Sequence, residues 1–145
     1  MVARNTLEYL NESDWVLILA RANRLIFEPG KEIIQEGSRG RAVYIIRKGS
    51  VSIELTIRER KTEVALLGPG EIFGEISFLT KGTTSAAVVA KDKVEVDELD
   101  DEELQLLFES FPGIGARFYH SLAVVLAMRL RETSSTLAGA KNLSN

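Results

Sequence analysis

Apolar positions along the chain keep two periods, and the changes of period divide it into three stretches. In "NESDWVLILARAN", Asn11 to Asn23, the residues Trp15, Ile18, Leu19 and Ala22 recur on one helical face. Asn11 stands where a helix cap belongs and Asp14 in the first turn, where the helix dipole favours an acid. From Leu25 to Val96 the texture becomes short β-branched or aromatic runs, "AVYIIRKG", "VSIELTI", "TEVALLG", "AAVVA" and "KVEVDEL". Turns at Gly30, Gly37, Gly40, Gly49, Gly68 and Gly70 separate them, so this stretch reads as a series of strands. In "SVSIELTI" strict alternation places Val51, Ile53, Leu55 and Ile57 on the buried side and Ser50, Ser52, Glu54 and Thr56 on the other. No helical period intervenes except at "GEISFL", which favours a sandwich or jelly-roll over a βαβ sheet.

After Leu99 the helical period returns. Asp100 with Glu103 has the spacing of a capping box and opens "DEELQLLFESF", which Pro112-Gly113 breaks. A second helix is predicted from about Ile114 to about Arg131. On it Phe118, Leu122, Val125 and Arg129 trace one stripe, and Tyr119, Ala123, Leu126 and Leu130 another. A helix apolar over so much of its circumference needs two surfaces to bury against, and another subunit can supply one. The tail "ETSSTLAGAKNLSN" loses the period, so residues 136–145 are expected to fray beyond a single domain spanning 1–135. The acidic run from Asp97 to Glu103 reads as a solvated strand end and helix start.

Composition narrows the function. A chain of 145 residues has room for one ordinary domain, and 45% apolar with 27% charged residues is globular. Net charge is −3, which offers no overall positive field to a nucleic acid. With no cysteine there is no disulfide framework and no thiolate chemistry. The start reads as lacking a secretory signal, and the longest apolar run, Leu122 to Met128, is far short of the roughly 20 residues of a membrane span. A cytoplasmic protein without a membrane segment is expected.

Catalytic chemistry finds no constellation. The one histidine, His120, sits on the predicted long helix and reads as a packing residue, so neither a metal-binding jelly-roll enzyme nor a Ser-His nucleophile is expected. "GPGEIFGE" lacks the lysine and hydroxyl of a P-loop. No enzyme, metal or cofactor is anticipated. The basic tip "RERK", Arg58 to Lys61, reads as a solvated hairpin turn.

Three segments in order carry a family likeness: "FEPGKEIIQEGSRGRAVYIIRKGSVSIE" (Phe27 to Glu54), "LLGPGEIFGEISFL" (Leu66 to Leu79) and "FPGIGARFYHSLAVVLAMRLR" (Phe111 to Arg131). Over roughly Leu7 to Arg131 the chain resembles a cyclic nucleotide-binding domain of the catabolite-activator and kinase-regulatory-subunit kind. The resemblance implies a mainly β fold: an eight-stranded β-roll with one N-terminal helix, a short cassette helix and two C-terminal helices. It also implies that a cassette, here "FGEISFLTKGTTSAAVVA", holds the cyclic phosphate. The candidate ligand-binding residues are Gly74, Glu75, Ile76, Ser77, Thr83, Thr84, Ser85 and Ala86. Gly74 would let a ligand approach the backbone closely. Family resemblance gives Glu75 the ribose 2′-hydroxyl; the alternative is that Glu75 only caps the short helix.

One position departs from the family pattern. Thr84 stands where the family carries the arginine that pairs with the phosphate, an interaction worth roughly 1.5–3 kcal/mol and so up to about 150-fold in affinity. Two substitutes are on hand: the hydroxyls of Thr83, Thr84 and Ser85, or Lys81 as a point charge. The run of hydroxyls also reads as a plain polar turn before a strand. About 14 residues follow Arg131, too few for a helix-turn-helix module, so no direct binding of DNA is expected. The implied function is a stand-alone sensory module. It would take a cyclic nucleotide, cAMP or cGMP, or another small anion, and signal through its C-terminal helices, as a homodimer or through an effector protein not named by the sequence. The alternative is an interaction scaffold whose nucleotide site is vestigial.

Overall fold

The computed structural model describes residues 7–144, with side chains described up to 135 and at 139. The helix α1 (Glu12–Leu19) is closed at its start by a reciprocal box, in which the Asn11 side chain accepts from the Asp14 amide and the Asp14 carboxylate accepts from the Asn11 amide. Eight strands follow: β1 (Asn23–Phe27), β2 (Glu32–Ile34), β3 (Ala42–Lys48), β4 (Val51–Ile57), β5 (Arg60–Leu67), β6 (Ile72–Phe73), β7 (Ala87–Ala90) and β8 (Val94–Asp100). The short helix α2 (Glu75–Thr80) lies between β6 and β7, and α3 (Asp101–Ser110) and α4 (Pro112–Ser144) close the chain.

The strands form two antiparallel four-stranded sheets, ordered β1-β8-β3-β6 and β2-β7-β4-β5. Alternation along β3 splits the core in two. Ile46 joins Ile34, Val51, Phe73, Val88 and Val96 between the sheets. Val43 and Ile45 face the helices instead, with Trp15, Ile18, Phe78, Leu104, Phe118 and Leu122. This fold matches the expected β-roll with its flanking helices.

Four local expectations are corrected. Burial along β4 does not alternate: Ser52 is buried and bonded to Glu63 while Ile57 is 47% exposed, and the β4–β5 register shifts at Ile53/Glu54, where Val64 of β5 is the extra residue. Asp97 is buried rather than solvated, because the guanidinium of Arg47 donates to it at 3.0 Å. The backbone of α4 stays helical through Ser144 instead of ending near Arg131, and it covers most of the tail expected to fray. Nothing between Glu132 and Ser144 forbids this, since the segment lacks proline and its one glycine, Gly139, costs only about 1 kcal/mol. Phe118 and Leu122 are spent on the domain's own core, both being 0% exposed, while Tyr119, Ala123, Leu126 and Leu130 of the other stripe stay toward solvent or partly so, as does Met128.

The other local readings agree with the structure. Asp100 caps α3, accepting from the Glu103 amide at 3.3 Å. Pro112 takes the first position of α4, where its missing N–H is no loss. Arg58 and Glu59 turn the β4–β5 hairpin with positive φ at both residues, an exposed tip. His120 sits at the surface boundary of the helix, exposed, with its ring stacked on Tyr9 at 3.9 Å.

Candidate ligand site

The turn from β6 into α2 is made by Gly74 at φ +83°, and no side chain caps the helix. A Cβ there would lie 2.8 Å from the Ala42 carbonyl oxygen, so glycine is required both by the dihedral and by the close approach of β3. Gly40 serves the same packing from the other side, since a Cβ on it would meet the Ser77 hydroxyl. The glycines thus press α2 against the sheet.

Under α2 lies a cavity of about 190 Å3. Its walls are apolar, from Ile34, Ile53, Leu67, Phe73 and Val88, and its polar rim comes from the cassette and from α4. Of the predicted ligand residues, Gly74, Glu75, Ile76, Ser77, Thr84, Ser85 and Ala86 line it. Thr83 does not: it is exposed and bridges to Arg39 instead.

Of the proposed substitutes for the missing arginine, Ser85 lines the cavity, while Thr84 and Lys81 are engaged elsewhere. The Thr84 hydroxyl donates to the Gln35 carbonyl at 2.6 Å and accepts from the Ser38 amide at 3.0 Å, which ties the β2–β3 loop to the cassette. Lys81 donates to Asp101 at 2.9 Å and lies 4.8 Å over the Phe78 ring. Its charge is committed to α3.

The cation at the cavity comes from elsewhere. Arg129 of α4 donates through one terminal nitrogen to Glu75 Oε1 at 3.0 Å and through the other to the Ile72 carbonyl at 2.7 Å. Glu75 is 5% exposed, and its second oxygen, Oε2, is buried with no hydrogen-bond partner. Burial pushes the Glu75 carboxyl above the usual carboxylate range, and the charge of Arg129 only partly offsets this. Sequence reasoning noticed Arg129 as a member of an apolar stripe but not as a site residue. The signal was there: a charge in register with Phe118, Leu122 and Val125 needs a buried partner.

A second ion pair, between buried Asp14 and half-exposed Arg117, holds the start of α4. Arg117 donates to both oxygens of Asp14 at 2.7 and 2.8 Å, and this hydrogen bonding keeps the Asp14 carboxyl below the usual range against the opposing effect of burial.

An eight-stranded roll with a glycine-initiated helix over an open pocket defines a class, and the sequence places the chain within it. Residues 24–111 match the family model of the cyclic nucleotide-binding domain, and the chain belongs to that family. It is 37% identical over 122 residues to the cyclic AMP receptor protein of Thermus thermophilus, covering 83% of this chain and 55% of that one. To cyclic GMP-binding protein C of Dictyostelium discoideum it is 31% identical over 128 residues, covering 88% of this chain and 5% of that protein. It therefore spans well under two thirds of these relatives. The crystal structure of the Thermus thermophilus catabolite activator protein superposes with a TM-score of 0.77 at 34% identity, over 91% of this chain and 61% of that one. A cyclic nucleotide-binding domain from Methylobacillus flagellatus shares the fold at a TM-score of 0.85 and 20% identity, over 96% of this chain and 86% of that one. No helix among the described residues is long and apolar enough to cross a membrane, and no cluster of metal-ligating side chains occurs among them.

Proposed function

We propose that the chain is a regulatory ligand-binding module whose cavity takes a cyclic nucleotide, or another small anion bearing hydroxyls, and reports occupancy through α4. The observation that carries this is the junction of cassette and helix inside the cavity: Glu75 of α2, with one oxygen unpartnered, is joined to Arg129 of α4. A ligand that competes for either group changes what holds the helix, and its differential affinity for the two helix positions bounds the switch. Glu75 accepts a ribose hydroxyl in this reading, and Gly74, Ile76, Ser77, Ser85 and Ala86 close around the cyclic phosphate. The exposed face of α4, through Leu126 and Leu130, is available for a homodimer or an effector protein.

The test is the Tm of ligand-stripped protein with millimolar cyclic AMP, cyclic GMP or cyclic dinucleotides. A ligand at 100 times its Kd adds about 2.7 kcal/mol, which is several degrees for this size of domain. The proposal expects a shift with at least one nucleotide and its loss in Glu75→Ala. A second reading, a scaffold with a vestigial site, is favoured by one observation: the Thr84 hydroxyl is engaged by the Gln35–Ser38 loop. Under that reading no nucleotide shifts the Tm.

A further inference from the structure

Charge balance in the cavity goes a step beyond this reading and rests on it. Among the described residues that line the cavity, Arg129 is the only base and Glu75 the only acid. Paired at 3.0 Å they sum to zero, so an entering anion meets no net positive charge while the pair is intact. The cassette cannot supply the charge, because position 84 is a threonine already bonded on both sides and Lys81 is held by Asp101. The cavity is also small, about 190 Å3 against roughly 300–1,000 Å3 for ordinary ligand pockets. The Arg129 guanidinium fills part of the room.

We infer that Arg129, a residue of α4 and not of the cassette, is the anion-binding group of this site, and that a ligand gains it by partner exchange with Glu75. A molecule carrying both a hydroxyl and an anionic group can do this without stranding either partner. Its hydroxyl donates to Glu75, its anionic oxygen accepts from Arg129, and two buried charges trade one another for ligand groups. A ligand with only one of the two groups does less. An anion without hydroxyls takes Arg129 and leaves the Glu75 carboxylate buried alone, which is strongly unfavourable. An uncharged nucleoside donates to the vacant Glu75 Oε2 and leaves Arg129 where it is.

The order of affinity is therefore cyclic nucleotide above nucleoside above sulfate, an anion that carries no hydroxyl at neutral pH, and its origin lies in α4. The same exchange makes the helix sense ligand charge directly. The nucleoside occupies the cavity without releasing the contact that holds α4 to α2, while the cyclic nucleotide replaces it.

The experiment measures binding of cyclic AMP, adenosine, cyclic GMP, guanosine and sulfate to the ligand-stripped protein. It compares wild type, Arg129→Gln, Arg129→Met, Arg129→Lys and the double variant Thr84→Arg/Arg129→Gln, with circular dichroism as a check on folding. Wild type is expected to prefer the cyclic nucleotide over its nucleoside by roughly ten- to hundredfold, the worth of a charge-assisted pair. Arg129→Gln is expected to bring the two within about twofold while leaving nucleoside binding in place. Arg129→Lys should keep part of the preference, and the double variant should recover it by moving the charge to the cassette. A merely structural role for Arg129 would weaken both ligands alike and leave their ratio unmoved. An unchanged ratio in Arg129→Gln overturns the inference and leaves the proposed function standing; Arg129→Met serves in its place if the glutamine variant does not fold. Absence of nucleotide and nucleoside binding in wild type overturns both.

Discussion

Glu75 and Arg129 are 54 residues apart in the chain and 3.0 Å apart in the fold, one on the cassette helix and the other on the long helix. The carboxyl of Glu75 lies above the usual range because burial outweighs its partner's charge. The folded protein therefore holds that proton to a higher pH than the unfolded chain does. Between the unfolded value of about 4.3 and the raised folded one, the native state binds the extra proton, so this group's contribution falls as pH rises. In urea unfolding across pH 4 to 7, the difference between wild type and Glu75→Gln is expected to move against wild type as pH rises. A difference that stays level would show that the burial of Glu75 is relieved in solution.

Asp14 behaves in the opposite sense. Its carboxyl is held low chiefly by the hydrogen bonds from Arg117, so it stabilises the fold above the unfolded carboxylate range and the contribution disappears as pH drops through the folded value. Asp14→Asn loses both this pair and half of the α1 capping box. A loss of about 1–2 kcal/mol is expected at pH 7, several degrees in Tm, and it should shrink toward pH 2. Thermal melts at both pH values check it.

The Thr84 hydroxyl serves the loop, so Thr84→Val should be costly although nearly isosteric. It takes one bond from the Ser38 amide and one from the Gln35 carbonyl, which keep their mutual bond at 3.2 Å and the Ser38 hydroxyl on the carbonyl at 2.7 Å, and is expected to destabilise by about 0.5–1.5 kcal/mol. Denaturant midpoints of Thr84→Val and Thr84→Ser separate the hydroxyl from the methyl: the serine variant should retain most of the stability.

Gly74→Ala combines a positive φ with a Cβ 2.8 Å from a backbone oxygen, and a loss of about 1–3 kcal/mol is expected. Gly82→Ala is the control, because its nearest neighbour would be a side-chain oxygen at 3.4 Å. Equal midpoints for the two variants would mean that the cassette turn relaxes away from β3.

If α4 pairs with a second copy, the exposed stripe must carry the contact. Leu126→Glu with Leu130→Glu is expected to lower the mass seen by light scattering without changing the Tm of the roll. Glutamates at Phe118 and Leu122, both fully buried, should instead unfold the domain.

Much of this fold was legible because its signals are local: the Asn11 and Asp100 caps, the proline opening α4, and the glycine turns between short strands. What escaped depends on partners distant in sequence. The alternating run of β4 carries no sign of the bulge at Val64 in its partner β5 or of the bond from Ser52 to Glu63, so Ser52 and Ile57 were assigned to the wrong environments. Periodicity placed Arg129 on a face but could not name Glu75 as what that face meets. Thr84 was recognised as the departure from the family, yet its hydroxyl was assigned to the ligand because the Gln35–Ser38 loop that claims it lies about 46 residues earlier.

Arg117 and Arg129 give α4 a mechanical ratio. Arg117 is gripped bidentately at one point and Arg129 is held by an exchangeable contact roughly 18 Å further along, at 1.5 Å per residue. Ser144 lies roughly 40 Å from the same grip. If the grip at Arg117 acts as a fulcrum and the helix stays straight, a swing of ~1 Å at the cavity arrives at the far end as ~2 Å. A side-chain rearrangement small enough to fit inside the roll then emerges as a displacement large enough to remake an interface.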